Sequence, residues 1–279
     1  MDGHAQCVAN LSRHKGFSPS STGNGVRISE FAQDGLGAMG AFAELLRGPW
    51  SNDRVALVGE WSNDDDLPAV ALDEAECGPA TVWENIMASS GTGWGNVGWL
   101  ARKVVPGKFE KMPQGWFRRY EYRPVLNVDT EPTVFINLDK KQVITPAGFG
   151  DDPRPGVYAV NGGGGGVLTA LAVLLAVSNK GGPRGYGDLG SDHELIGSWG
   201  GDRITVLGAD TVAALEDDSR FTVIDARVRQ VLTDSYMGVY MISRDGVTRG
   251  DPGSPNAEAG GFIPMRPRVP VPPMPVSPA

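Results

Sequence analysis

Two short segments of this chain carry the same side chains at the same spacing. Gly48-Pro-Trp50-Ser-Asn-Asp53-Arg54-Val55-Ala-Leu57-Val58-Gly59 and Gly197-Ser-Trp199-Gly-Gly-Asp202-Arg203-Ile204-Thr-Val206-Leu207-Gly208 both read G-x-W-x-x-D-R-[VI]-x-[LV]-[VL]-G, at an offset of 149. An Asp beside an Arg, presented twice, could grip an anion or a backbone if both copies faced one cleft. On that reading Trp50, Asp53, Arg54, Trp199, Asp202 and Arg203 are candidate binding residues. The pair holds no nucleophile and no general base. Of the three histidines, His4, His14 and His193, only His193 lies near either copy in sequence, so no catalytic residue is assigned. The weightier reading of the same residues is structural. Gly makes a turn, Trp covers the core, Asp and Arg pair or bond loop backbone, and the next four residues enter a sheet that Gly59 or Gly208 ends.

The glycine-rich loops offer a second kind of chemistry. Gly35-Leu-Gly37-Ala-Met-Gly40 spells G-x-G-x-x-G, but no strand precedes it, so a dinucleotide site is not expected. The pentaglycine Gly162 to Gly166 stands between VYAV and an apolar run, where backbone amides could cradle an anion. No Gly-Lys-Ser/Thr follows it, which excludes a P-loop. The loop Lys180-Gly-Gly-Pro-Arg184-Gly-Tyr-Gly187 brings two cations beside flexible backbone, and Lys180 and Arg184 complete the candidate binding set. Cys7 and Cys77 have no metal-ligand spacing, and Asp64-Asp65-Asp66 lacks the spaced ligands of a calcium loop. No metal and no cofactor is expected.

Charge is segregated along the first half. Between Arg54 and Arg102 there are eight acidic residues and no Lys or Arg. Residues 101–123 then carry Arg102, Lys103, Lys108, Lys111, Arg118, Arg119 and Arg123 among Phe109, Trp116, Phe117, Tyr120 and Tyr122. Cations interleaved with stacking aromatics suit single-stranded nucleic acid, with Arg102, Lys103, Lys111, Arg118 and Arg119 as the candidate strip. Neutralisation of the acidic stretch, internally or between copies, is the simpler account. The net charge of −8 opposes uniform attraction to nucleic acid or anionic lipid.

The elements that must position these residues follow from periodicity and punctuation. Helical spacing marks Met39–Arg47, Val167–Ser178 and Asp225–Thr233. Strand-like runs are Arg54–Val58, Phe117–Arg123, Thr133–Leu138, Gly156–Val160, Arg203–Leu207 and Gly238–Ile242. With 39 Gly and 21 Pro in 279 residues, turns are frequent and long helices are not expected. The pattern predicts an α+β fold of mostly short antiparallel strands with a few helices. Residues 1–25 read as a flexible arm, 26–125 and 126–250 as two halves each holding one copy of the motif, and 251–279 as a disordered Pro-rich tail. The apolar run Val167 to Val177 is 11 residues, too short for a span, so no membrane partner is expected. The N-terminal residues show no apolar secretory region, and two isolated thiols suit the cytoplasm.

Similarity between the halves continues past the motif: PAVALDEA (68–75) against TVAALEDD (211–218), and TVWENI (81–86) against TVIDAR (222–227). This predicts an internally duplicated unit of about 40 residues. The order Phe135-Ile-Asn137-Leu-Asp-Lys140-Lys141, LTALAVLLAVSN, Gly181-Gly182-Pro-Arg-Gly185-Tyr186-Gly187, IGSWGGDRITV resembles a set of bacterial and viral proteins. They share an N-x-x-K-K strand, a Leu-rich segment, a Gly-rich loop and a G-x-W-x-x-D-x-[IV] strand. The resemblance covers about 133–230 and brings no established activity. The expectation is therefore a non-catalytic interaction or structural protein of a bacterium or phage, with a protein partner or self-association. The alternatives are an enzyme or binding protein for a phosphorylated or nucleotide ligand, and single-stranded nucleic-acid binding through 101–123.

Overall fold

The computed structural model describes residues 5–22, 26, 28, 37–88, 93–104, 109–111, 122–124, 133–149, 165–177, 193–208 and 219–232. Eight strands form one mixed sheet in the order β10-β8-β7-β9-β3-β1-β2-β4. They are β1 (Gln6–Asn10), β2 (Lys15–Phe17), β3 (Arg54–Gly59), β4 (Gly95–Asn96), β7 (Thr133–Asn137), β8 (Gln142–Ile144), β9 (Asp202–Gly208) and β10 (Thr222–Val223). A separate antiparallel pair joins β5 (Phe109–Lys111) and β6 (Tyr122–Pro124). Within the main sheet β1 with β2 and β7 with β8 are hairpins, and β3 meets β9 antiparallel at the centre. The edge strands β4 and β10 run parallel to β2 and β8, so the expected antiparallel arrangement holds inside the sheet and gives way at both edges.

Alternation sends successive strand residues to opposite faces. Val8, Val55, Leu57, Phe135, Ile204 and Val206 face a large core shared with helices α1 (Ala38–Arg47), α4 (Gly98–Lys103), α6 (Gly165–Leu175) and α7 (Asp225–Val231). Helix α6 is apolar on every side, as a helix buried all round must be. Cys7, Ala9, Leu11, Ala56 and Val58 face the other way, against α2 (Ala69–Ala75) and α3 (Pro79–Ala88). A short helix, α5 (Pro146–Phe149), follows β8. Among the described residues no helix is long and apolar enough to cross a membrane.

Several expectations need correction. Residues 1–25 are not an arm throughout: β1 is buried along its whole length and sits between β3 and β2. Five small or apolar residues gave too little periodicity to mark a strand, and its pairing partner β3 is over 40 residues away. A domain beginning at residue 26 would cut that strand from its sheet. Helices α2, α3 and α4 were not anticipated, because the Pro, Gly and acidic residues around them read as turn. The pairing of TVWENI with TVIDAR also fails, since 81–86 lie in α3 while Thr222–Val223 are an edge strand. Helices at 39–47, 167–175 and 225–231 and strands at 54–58, 133–137 and 203–207 agree with the periodicity. The runs 156–160 and 238–242, the segment 211–218 and the tail 251–279 lie outside the described residues.

Candidate functional site

The two D-R motifs meet at the middle of the sheet. Arg54 stands opposite Arg203, and Val55 opposite Asp202, where β3 pairs with β9. Opposed residues share a face, so both guanidinia project from the same side of this seam. Like charges directly opposite repel, and two carboxylates answer them. Arg54 donates from Nε to Glu74 Oε1 at 2.8 Å, and from Nη1 to Asp139 Oδ2 at 2.7 Å and to the Gly201 carbonyl at 3.1 Å. Arg203 donates to Asp139 through its backbone N–H (2.9 Å), Nε (2.9 Å) and Nη2 (2.6 Å). Ser12 Oγ accepts the Arg54 backbone N–H at 3.0 Å and donates to Glu74 Oε2 at 2.6 Å. Two cations against two carboxylates leave this cluster without excess charge.

Each motif Asp is tied into a hairpin rather than into the seam. Asn10 donates to Asp53 at 2.8 Å and Arg13 forms an ion pair with it. Asn137 donates to Asp202 at 2.7 Å, and the Lys140 ammonium bonds both Asp202 and, at 2.6 Å, the Ser198 carbonyl. The same asparagines order their turns: Asn10 Oδ1 accepts the Arg13 N–H at 3.0 Å and Asn137 Oδ1 the Lys140 N–H at 2.8 Å. Trp50 and Trp199 are fully buried in the main core. Trp50 packs beside the rings of Phe17 and Phe42, and Trp199 Nε1 donates to Gln142 at 2.7 Å.

The electrostatics follow from this geometry. Burial pushes the Asp139 carboxyl up, but hydrogen bonds from the Arg203 side chain and backbone and the charges of Arg54 and Arg203 outweigh it, bringing the group down to about 2. Glu74 is likewise lowered: burial opposes the shift, and hydrogen bonds from Ser12 and Arg54 overcome it. Burial drives the Cys7 thiol far up, which leaves it a small apolar core residue. Among the described residues no group of three or more His, Cys, Asp or Glu is placed to hold a metal ion.

Of the candidate residues, the structure brings Asp53, Arg54, Asp202 and Arg203 into one connected region and sinks both tryptophans beneath it. Lys180, Arg184, Arg118 and Arg119 lie outside the described residues. Lys103 is exposed at the end of α4, which also holds Arg102, while Lys111 ends β5. Of the other tryptophans, Trp94 is buried and Trp61 and Trp99 are exposed. Ser12, Glu74, Asp139 and the two clamp asparagines were missed as site residues. A signal for most of them existed: Asn10-Leu-Ser-Arg13 and Asn137-Leu-Asp-Lys140 repeat N-L-x-[RK]. What the arrangement can do is hold strands in register. Its carboxylates are engaged by neighbouring donors and its guanidinia by neighbouring acceptors, so it offers neither a base nor an anion grip. No protein-family model, no curated protein and no solved structure matches the chain.

Proposed function

We propose that this chain is a non-catalytic interaction or structural protein of a bacterium or phage, working in the cytoplasm through a protein partner or a second copy of itself. In this reading it is built on an internally duplicated turn-and-strand unit of about 40 residues. One observation carries the proposal: the charged groups of both D-R motifs are consumed within the chain, Asp53 by Asn10 and Arg13, Asp202 by Asn137 and Lys140, and the two arginines by Glu74 and Asp139. Residues that bind a substrate must keep hydrogen-bonding capacity for it. Here that capacity is spent on register.

Thermal denaturation with millimolar nucleotides and sugar phosphates, run beside light scattering over a concentration series, tests the reading. The expected result is no shift in Tm with any ligand and a mass above 29.5 kDa as concentration rises. A rise of about 5 °C with one ligand, abolished by Lys180→Ala with Arg184→Ala, would replace this proposal with a phosphate-binding protein.

A further inference from the structure

We infer that the repeated unit is not about 40 but about 100 residues, spanning 5–104 and 133–231, and that the β3–β9 seam is a dimer-type interface between two such units fused in one chain. The surface each half buries at the seam is one that fits a copy of the same unit. This goes beyond the functional reading above and does not depend on it.

The strand order is the first support. Read outward from the seam it is β3, β1, β2, β4 on one side and β9, β7, β8, β10 on the other, each with an antiparallel hairpin and a parallel edge strand. The seam itself is reciprocal. Asn52 N–H donates to the Ile204 carbonyl and Gly201 N–H to the Val55 carbonyl, both at 2.9 Å. These four residues are two pairs at the motif's offset, so the contact made by one half is returned by the other, which defines an isologous interface. Asn52 and Gly201 also share a left-handed backbone, with φ of 66° and 80°.

Equivalence then extends well outside the motif. In the hairpins the offset is 127: Asn10 matches Asn137, and the left-handed turn residue His14 (φ 51°) matches Lys141 (φ 56°). His14 stacks on Trp94 with centroids 5.2 Å apart, and Lys141 Nζ lies 5.8 Å from the ring of Phe221, again 127 residues on. Gly95 N–H bonds His14 O as Thr222 N–H bonds Lys141 O. Helices α1 and α6 match at an offset of 129, where Leu45 O accepts from Trp50 N–H and Leu174 O from Trp199 N–H. The offset changes only in the connections between elements, where insertions are tolerated.

The symmetry makes a prediction at the one place where the halves differ in charge. Ser12 and Asp139 are equivalent positions: each accepts the backbone N–H of its motif Arg. Asp139 also reaches across the seam to Arg54. In a twofold arrangement an aspartate at position 12 reaches Arg203 in the same way. The test exchanges the two residues in the full chain, with Glu74→Gln throughout so that no carboxylate competes at position 12. Asp139→Ser in that background lowers Tm by about 8 °C. Adding Ser12→Asp recovers at least half of the fall, and in the exchanged protein Arg203→Met costs what Arg54→Met costs in the Glu74→Gln parent. No recovery, or recovery indifferent to Arg203→Met, overturns the inference. Should the Asp139→Ser chain not fold, folding of the exchanged chain is itself the recovery, and its failure to fold is the negative result. Ser12 and Asp139 lie outside the 40-residue segments, so a negative result leaves the shorter repeat standing.

Discussion

The two motif copies hold their strands with the same hydrogen bonds, yet they sit in different surroundings. Asp202 is the more enclosed of the two acids, with 7% of its side chain exposed against 13% for Asp53. The arginines reverse that order, Arg54 being 11% exposed and Arg203 48%. The cause is α2, which supplies Glu74 over the first copy. The first glycine differs too: Gly197 has φ 66° whereas Gly48 has φ −116°. The backbone pattern of the turn is therefore a requirement that both copies meet, while charge and close packing around it are local and negotiable.

The widest agreement between the copies lies in the tryptophans, so they are the place to break the comparison. Trp50→Ala and Trp199→Ala each remove a large, fully buried ring from one core cluster and each cost about 4 kcal/mol by urea unfolding. If one substitution cost less than about 1 kcal/mol, the two turns would not share a structural role. The leading glycines should part company instead. A Cβ on Gly197 would lie 2.9 Å from the Ala176 carbonyl oxygen and from the Val177 Cα, both backbone atoms, in a left-handed conformation. Gly197→Ala therefore costs about 2 kcal/mol. At Gly48 the nearest such atom is the Glu44 carbonyl oxygen at 3.4 Å, and Gly48→Ala stays within about 0.5 kcal/mol. Equal losses at the two glycines would show that the turns are more alike than their φ angles.

That contrast also shows what the sequence could and could not say. G-x-W-x-x-D-R was readable as turn, core anchor and strand start because each residue type has one dominant local use, and the structure uses Trp50, Trp199, Arg54 and Arg203 in that way. Helices α1 and α6 were readable from apolar runs of helix formers. The hairpins were not equally so. Strand β1 reads QCVAN, with too few residues for a period of two to declare itself, and Asn10 and Asn137 look like ordinary turn residues until each is seen to hold a distant Asp. Glu74 and Asp139 were hidden for a related reason: their partners lie 20 to 85 residues away, and only strand pairing brings them together. Long-range charge pairing leaves no local trace.

The smallest expected effect separates the halves by acid. Asp139 titrates near 2 in the folded chain, below its ordinary 3.8, so its contribution is complete above about pH 4 and is lost as pH falls toward 2. A depression of that size corresponds to about 2 kcal/mol. Ser12, at the matching position, does not titrate. Acid should therefore loosen the β7–β8 hairpin before the β1–β2 hairpin. The amides of Leu138 and Leu11 report on this, since they donate to the carbonyls of Arg203 and Arg54 at 3.0 and 2.8 Å. Between about pH 5 and pH 2.5, hydrogen-exchange protection, corrected for intrinsic rate, should fall more at Leu138 than at Leu11. Asp139→Asn should lower protection at Leu138 at the higher pH and remove most of its further fall. An equal fall at both amides in the unaltered chain would mean that one network spans the seam and Asp139 supports both hairpins alike, through its bond to Arg54 as much as through those to Arg203.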